Sequence, residues 1–131
     1  MGVTFDTGAL IGLQRRTRRM RAVWSRLQDR RILVTVPTVV LAECWQNPTS
    51  AERDIVALCE VEELSVQLAE VAARARSACG SSVSVVDAVV MASAASRGDD
   101  VYTADYVDLA KLRDAYFPGL RLHSVSGPTD A

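Results

Sequence analysis

Histidine, cysteine and aromatic residues are scarce in this sequence of 131 residues, and each scarcity excludes a class of protein. A single histidine, His123, excludes catalysis by a pair of histidines. The three cysteines form no CxxC or Cys/His pair, which argues against zinc sites and disulfide frameworks and favours a reducing, cytoplasmic location. Aromatic residues make up 5% of the chain, so the core must be built from Val, Leu, Ile and Ala.

Long hydrophobic runs are also missing, which argues against a membrane partner. The most apolar stretch, residues 83–95, is shorter than a bilayer-spanning helix and is interrupted by Asp87. The N-terminus enters an apolar segment at once and offers no signal peptide. The length fits one domain with one core, which we place at residues 1–126, followed by a loose tail at residues 127–131.

Strand-like and helix-like segments alternate along the chain. Continuous apolar or β-branched runs predict strands at residues 3–5, 32–36, 62–65, 100–103 and 120–125. Helical spacing and capping signals predict helices at residues 9–13, 18–30, 38–46, 51–59, 66–79, 84–96 and 106–115. The buried stripe predicted for the second helix consists of Met20, Val23, Trp24 and Leu27. This alternation predicts an α/β fold with a mostly parallel central sheet.

Positive charge is concentrated in one segment, residues 14–31, although the whole chain has a net charge of −1. The segment holds eight of the 15 basic residues and one of the 16 acidic residues, so it carries a net charge of +7. Its arginines are Arg15, Arg16, Arg18, Arg19, Arg21, Arg26, Arg30 and Arg31. A basic patch on an acidic body indicates a polyanion site or an acidic protein partner.

Four acids occupy positions where a parallel sheet binds ligands. Asp6 and Asp105 directly follow predicted strands, Glu43 lies in the helix after the second strand, and Asp87 lies in the first turn of the Ala-rich helix. Ligands of open parallel sheets bind outside the carboxyl ends of the strands. These acids are therefore candidates for one shared pocket.

Each of these acids also has a local explanation. Ser84 and Asp87 match a capping box, and Asp105 with Asp108 forms a similar pair at the next helix. The acid after the first strand can cap the first helix, and the acid of the third helix can lie on a solvated face. Two unpaired carboxylates about 4 Å apart, however, repel by about 4 kcal/mol at an effective dielectric constant near 20. A shared pocket would need a hard divalent cation, such as Mg²⁺ or Mn²⁺, to be stable.

Four segments in this order resemble the PIN-domain family and, within it, the VapC-type toxins of bacterial toxin–antitoxin pairs. They are residues 3–7 (VTFDT), 41–43 (LAE), 84–88 (SVVDA) and 102–109 (YTADYVDL). The resemblance implies a three-layer sandwich with a parallel sheet between helices. It also implies Mg²⁺- or Mn²⁺-dependent cleavage of RNA, a small antitoxin protein as partner, and a homodimer.

The resemblance assigns the site residue by residue. It places four acids in the catalytic, metal-binding cluster: Asp6, Glu43, Asp87 and Asp105. It adds Asp108 as a fifth metal ligand, and Thr7 and Thr103 as residues near the substrate. Attack by water at such a site should leave a 5′ phosphate and a 3′ hydroxyl, and His123 is then expected to be structural.

The arginine-dense segment is a departure, because the family does not require it. We expect Arg15, Arg16, Arg18 and Arg19 to contact the RNA backbone, and docking of an acidic antitoxin remains the alternative. Two other functions stay open. One is a catalytically silent module that binds RNA or protein. The other is a receiver-like signalling domain, although Asp6 has no adjacent acid and Lys111, the only lysine, lies inside a predicted helix.

Overall fold

Strands and helices alternate throughout the computed structural model, which describes residues 2–126. The predicted tail at residues 127–131 lies outside the described residues, and the domain bounds stay a prediction. The elements are β1 (Val3–Phe5), α1 (Thr7–Gln14), α2 (Arg18–Asp29), β2 (Val34–Pro37), α3 (Thr38–Cys44), α4 (Ser50–Ala57), β3 (Glu60–Glu62), α5 (Val66–Ala78), α6 (Val85–Arg97), β4 (Asp100–Thr103), α7 (Tyr106–Tyr116) and β5 (Leu122–Ser124).

The five strands form one sheet in the order β3-β2-β1-β4-β5, and all pairs are parallel. All three residues of β1 are buried, so helices cover the sheet on both faces. The predicted α/β sandwich is confirmed, with a fully parallel sheet where a mostly parallel one was expected. Because β1 is central, its carboxyl end is flanked by the ends of β2 and β4.

The structure corrects the bounds of several elements. β2 begins at Val34 and not at Ile32, because the Ile32 N–H donates to the Leu27 carbonyl and Leu33 is 51% exposed. β3 spans Glu60–Glu62 and not residues 62–65, and its exposed position at the sheet edge gives little hydrophobic pattern to read. α4 correspondingly ends at Ala57. Edge elements were therefore the hardest to place from sequence.

The core is built from aliphatic residues, as the scarcity of aromatic residues requires. In α6, every residue from 88 to 94 is buried, and α6 contacts α3, α5, α7 and three strands. In α2, Met20, Val23 and Leu27 are buried as predicted, but Trp24 is only half-buried. No helix within residues 2–126 is long and apolar enough to span a membrane.

A network of charged and polar groups under the end of α6 was not predicted. The Arg97 guanidinium donates to Glu62 Oε1 at 2.5 Å, to Asp99 Oδ2 at 3.0 Å and to Thr4 Oγ1 at 2.8 Å. Asp99 also accepts bonds from the Gly2 N–H and the Thr4 hydroxyl, both at 2.9 Å. Asp99 is only 5% exposed, so this network neutralises a buried carboxylate at the amino-terminal side of the sheet.

Candidate metal centre

Asp6 stands at the carboxyl end of β1 and is held by three hydrogen bonds. Its Oδ1 accepts from the Ala9 N–H at 2.8 Å, which makes it the N-cap of α1. Its Oδ2 accepts from the Thr103 hydroxyl at 2.5 Å and from the Ala104 N–H at 3.2 Å. These donors are available because β1 and β4 are neighbours and end together. Asp6, which is 3% exposed, is thus the N-cap of α1, and it also lies near enough to Asp105 for their charges to interact.

Thr103 connects Asp6 to the next acid. Its hydroxyl donates to Asp6 and accepts from the Asp105 N–H at 2.7 Å. The side chain is fully buried, so it fixes the relative positions of two acids. Its contact with substrate stays a prediction, and this positioning role was not predicted.

Asp87, Asp105 and Asp108 each offer a carboxylate oxygen, and these oxygens lie within 4.8 Å of one another. Asp87 is in the first turn of α6, whereas Asp105 and Asp108 begin α7. Since α6 and α7 pack together, their first turns bring the three acids to one place. Such oxygen ligands are those that Mg²⁺ and Mn²⁺ prefer.

Local capping does not account for this cluster. Ser84 caps α6 by accepting from the Asp87 backbone N–H at 3.0 Å, which leaves the carboxylate of Asp87 beside Asp105. Asp105 occupies the N-cap position of α7, but its side chain makes no capping hydrogen bond. The capping explanation therefore covers the contacts of Asp87 with Ser84, but it does not explain why the carboxylates of Asp87 and Asp105 lie side by side.

The pKa values reflect this crowding. The pKa of Asp87 is raised from 3.8 to about 8 by burial first, then by a hydrogen bond with Asp105 and the negative charges of Asp105 and Asp6. Burial is also the main reason that the pKa of Asp6 is raised, with Asp105 adding to it. At neutral pH, the cluster must therefore take up either a proton or a cation.

Side-chain cations do little to relieve the negative charge. Within residues 2–126, Asp6, Asp87 and Asp105 form no ion pair with Lys, Arg or His. Asp108 has a partly exposed ion pair with Lys111 at 3.4 Å. Three close carboxylates, with the buried carboxyl group of Asp6 next to them, form a set of oxygen ligands that fits a hard divalent ion.

The remaining predicted residues lie around this cluster. Glu43 is exposed on α3 and is not in the group of close oxygens, although α3 packs against α1 and α6. Thr7 directly follows Asp6 in the sequence. Its hydroxyl oxygen is buried and has no hydrogen-bond partner within residues 2–126. Arg19 is half-buried, and it donates to the Ser124 carbonyl at 3.0 Å. Arg15, Arg16 and Arg18 are exposed. The roles of these residues stay predictions.

The role of Gly8 at the site was not predicted from the sequence, although Gly8 directly follows the Asp6-Thr7 pair. A Cβ built on Gly8 would lie 2.3 Å from the Ala104 Cβ, too close for any real contact. Ala104 is the residue whose N–H donates to Asp6. Glycine at this position therefore lets the start of α1 pack directly on the turn that holds the acids.

Replacing Gly8 with alanine should push α1 away from this turn. We expect the free energy of unfolding to fall by about 1–3 kcal/mol from overpacking and the affinity for Mn²⁺ to fall at least about tenfold. Calorimetric titration and thermal melting measure the two effects. Gly12→Ala is the matched control, because its Cβ meets Met20 in the core at 2.8 Å, one turn further along α1. Equal Mn²⁺ affinities for both variants would show that Gly8 does not position the acids.

Comparisons with known proteins agree with this architecture. The sequence model of the PIN domain family matches residues 3–114. No curated protein sequence matches the chain. Among solved structures, VapBC2 from Rickettsia felis bound to a promoter DNA fragment superposes with a TM-score of 0.71 at 13% identity, covering 95% of this chain and 98% of that one.

Two further structures have the same fold. A toxin–antitoxin complex from Klebsiella pneumoniae has a TM-score of 0.70 at 18% identity, with 95% and 98% of the two chains covered. FitAcB from Neisseria gonorrhoeae has a TM-score of 0.67 at 15% identity, with 94% and 97% covered. At these identities the likeness shows the fold, whereas the family model matches most of the sequence itself. The chain belongs to the PIN domain family.

Proposed function

We propose that this chain is a divalent-metal-dependent endoribonuclease and the toxin of a toxin–antitoxin pair. The observation that carries the proposal is the group of close carboxylates of Asp87, Asp105 and Asp108 next to the buried Asp6. Within residues 2–126, Asp6, Asp87 and Asp105 form no ion pair with a cationic side chain. Membership of the PIN domain family supports nuclease chemistry at this cluster. The nuclease domain would occupy residues 1–126.

Asp87, Asp105 and Asp108 would hold Mg²⁺ or Mn²⁺, with Glu43 as a further acid from the neighbouring helix. When bound, such an ion neutralises charge on a phosphodiester and lowers the pKa of a water molecule that attacks it. Asp6 contributes a carboxyl group in one fixed orientation, because its two oxygens accept three hydrogen bonds. Thr103 keeps Asp6 and the Asp105 backbone in register.

The structural neighbours support a proposal about partner proteins. The structure from Rickettsia felis is described as bound to a DNA fragment from its promoter, and the one from Klebsiella pneumoniae as a toxin–antitoxin complex. We propose by analogy that a small antitoxin binds this chain and blocks its site. A homodimer is part of the same proposal.

The decisive test is cleavage of a single-stranded RNA by the purified protein with and without divalent ions. We expect cleavage in Mg²⁺ or Mn²⁺, and none in EDTA, because the acids alone cannot activate water. The products should carry a 5′ phosphate and a 3′ hydroxyl, which end-specific enzymes and mass spectrometry distinguish. Mn²⁺ should also raise the melting temperature, since it binds only the folded cluster.

Two results would contradict the proposal. Cleavage that persists in EDTA, or that yields a cyclic phosphate, would show that the acids do not act through a metal. RNA binding without cleavage at any ion concentration would instead identify a catalytically silent member of the family.

A further inference from the structure

Seven of the eight arginines between residues 15 and 31 are exposed and make no ion pair within residues 2–126. The exception is Arg19, which is half-buried. We call these seven residues the arginine surface. Elsewhere within residues 2–126, Arg74, Arg97 and Arg113 are paired with acids, whereas Arg53, Arg76 and Arg121 make no ion pair and are not clustered in sequence. A large uncompensated positive charge on a surface attracts polyanions.

Two of these arginines occupy backbone positions that favour glycine. Arg16 has a φ of 58° and Arg31 a φ of 54°, at the two turns that flank α2. L-residues disfavour this left-handed region, and glycine adopts it without steric cost. Stability alone would therefore favour glycine at both turns. The arginine side chains at these positions need an explanation other than folding.

The arginine surface begins beside the metal centre. Arg19, at the start of α2, donates to the Ser124 carbonyl of β5. Ser124 is paired with Thr103, which donates to Asp6. The start of α2 is thus fixed at the edge of the sheet where the acids lie. From there, α2 runs for 12 residues, about 18 Å, which is long enough to contact several consecutive phosphates of one strand.

The composition of the arginine surface distinguishes RNA from a protein partner. None of the exposed large hydrophobic residues lies between positions 14 and 31. Stable protein interfaces are anchored by several buried apolar or aromatic side chains, and the half-buried Trp24 is the one large apolar side chain of α2 that is not fully buried. Contacts to a phosphate backbone need only charge and hydrogen-bond donors.

We infer that the arginine surface is a binding track for the phosphate backbone of single-stranded RNA, which leads the strand to the acidic cluster. The inference rests on the proposed function for its substrate, but the track binds RNA independently of the metal. It adds affinity without base recognition, because arginine contacts to phosphates carry no sequence information.

The test is a binding measurement in EDTA, where metal-dependent cleavage cannot occur. The probe is a 20-nucleotide fluorescent single-stranded RNA, and its anisotropy is followed as salt is raised. In Arg18→Gln/Arg21→Gln/Arg26→Gln, we expect affinity at low salt to fall about tenfold or more, and the salt dependence to weaken by about 0.7 per lost contact. Gln keeps nearly the same helix propensity, so the fold should persist.

A matched control removes the same charge elsewhere. Arg53→Gln/Arg74→Gln/Arg121→Gln neutralises three exposed arginines outside the arginine surface and should bind RNA as the wild type does. A second variant, Arg16→Gly/Arg31→Gly, should melt no lower than the wild type while binding RNA more weakly. This pair of readouts separates a loss of RNA contacts from a loss of folding.

Several outcomes would overturn the inference. Equal binding by the two triple variants would show that only net charge matters. Displacement of the RNA by an equal charge concentration of poly-glutamate would assign the surface to an acidic protein. RNA binding along the track by a protein that never cleaves RNA would refute the nuclease proposal and leave this inference intact, because binding is measured in EDTA.

Discussion

Asp87→Asn is expected to slow RNA cleavage by at least about a hundredfold while leaving the protein folded. Asparagine keeps the size of the side chain but removes one of the three charges that would hold the metal. The capping of α6 should survive, since the N–H that donates to Ser84 belongs to the backbone of residue 87. Initial rates in saturating Mn²⁺ and melting curves in EDTA measure the two properties.

The same substitution should change how stability depends on pH. The pKa of Asp87 is raised from 3.8 to about 8, so between these values the folded protein holds a proton that the unfolded chain releases. The stability linked to this proton is fully present below about pH 3.8 and is lost as the pH rises through about 8. In EDTA, Asp87→Asn should therefore melt increasingly above the wild type as the pH rises from 5 to 9.

In saturating Mn²⁺ at pH 8, the wild type should instead melt at a higher temperature than Asp87→Asn, because only the wild type has the complete set of carboxylates. Asp54→Asn, on the exposed surface of α4, is the control and should change neither rate nor melting. A large fall in melting temperature for Asp87→Asn in EDTA would make Asp87 a structural residue. Full activity in that variant would remove Asp87 from the proposed mechanism.

The positions of Asp6 and Asp105 were predictable because parallel strands end at one edge of a sheet, although the order of the strands was not predicted. Asp6 directly follows β1, and Asp105 lies two residues after the end of β4. Asp87 was predictable from its place in the first turn of the most apolar helix. Glu43 has no such rule, since the orientation of α3 depends on packing against α1 and α6. Its exposed position leaves its role a prediction.

Long-range hydrogen bonds could not be read from the sequence. Thr103 and Asp6 are 97 positions apart, and Arg97 and Thr4 are 93 positions apart. Such pairs depend on the register between β1 and β4, which local spacing does not define. Edge strands are a second limit, because the residues of β3 are mostly exposed and show no hydrophobic alternation. The fold class was therefore easier to predict than the contacts that fix the site.

The acids at the two ends of β4 differ in whether an arginine is paired with them. Asp99, directly before β4, is buried but paired with Arg97 and accepts bonds from Gly2 and Thr4. Asp105, two residues after the end of β4, lies beside Asp87 and forms no ion pair within residues 2–126. The chain can thus supply an arginine where a buried acid serves the fold. The lack of one at the carboxyl edge is what a site for an external cation requires.

Replacing Arg97 with methionine tests the first half of this contrast. The change keeps the aliphatic volume but leaves the nearly buried Asp99 without its cation, and it leaves Glu62 with the Ser93 hydroxyl but without its ion pair. We expect the free energy of unfolding to fall by about 2–4 kcal/mol, a large share of the stability of a domain this size. The shift of the urea midpoint at constant slope measures the loss.

Arg74→Met is the matched control for Arg97→Met, because the Arg74–Glu70 pair is an exposed contact between successive turns of α5. We expect that control to lose less than about 0.5 kcal/mol. Arg97→Lys should lie between the two, since it keeps the charge but cannot donate to four acceptors in a plane. If Arg97→Met and Arg74→Met unfold at the same urea concentration, Asp99 tolerates burial without a cation. The unpaired acids at the opposite edge would then no longer imply a metal.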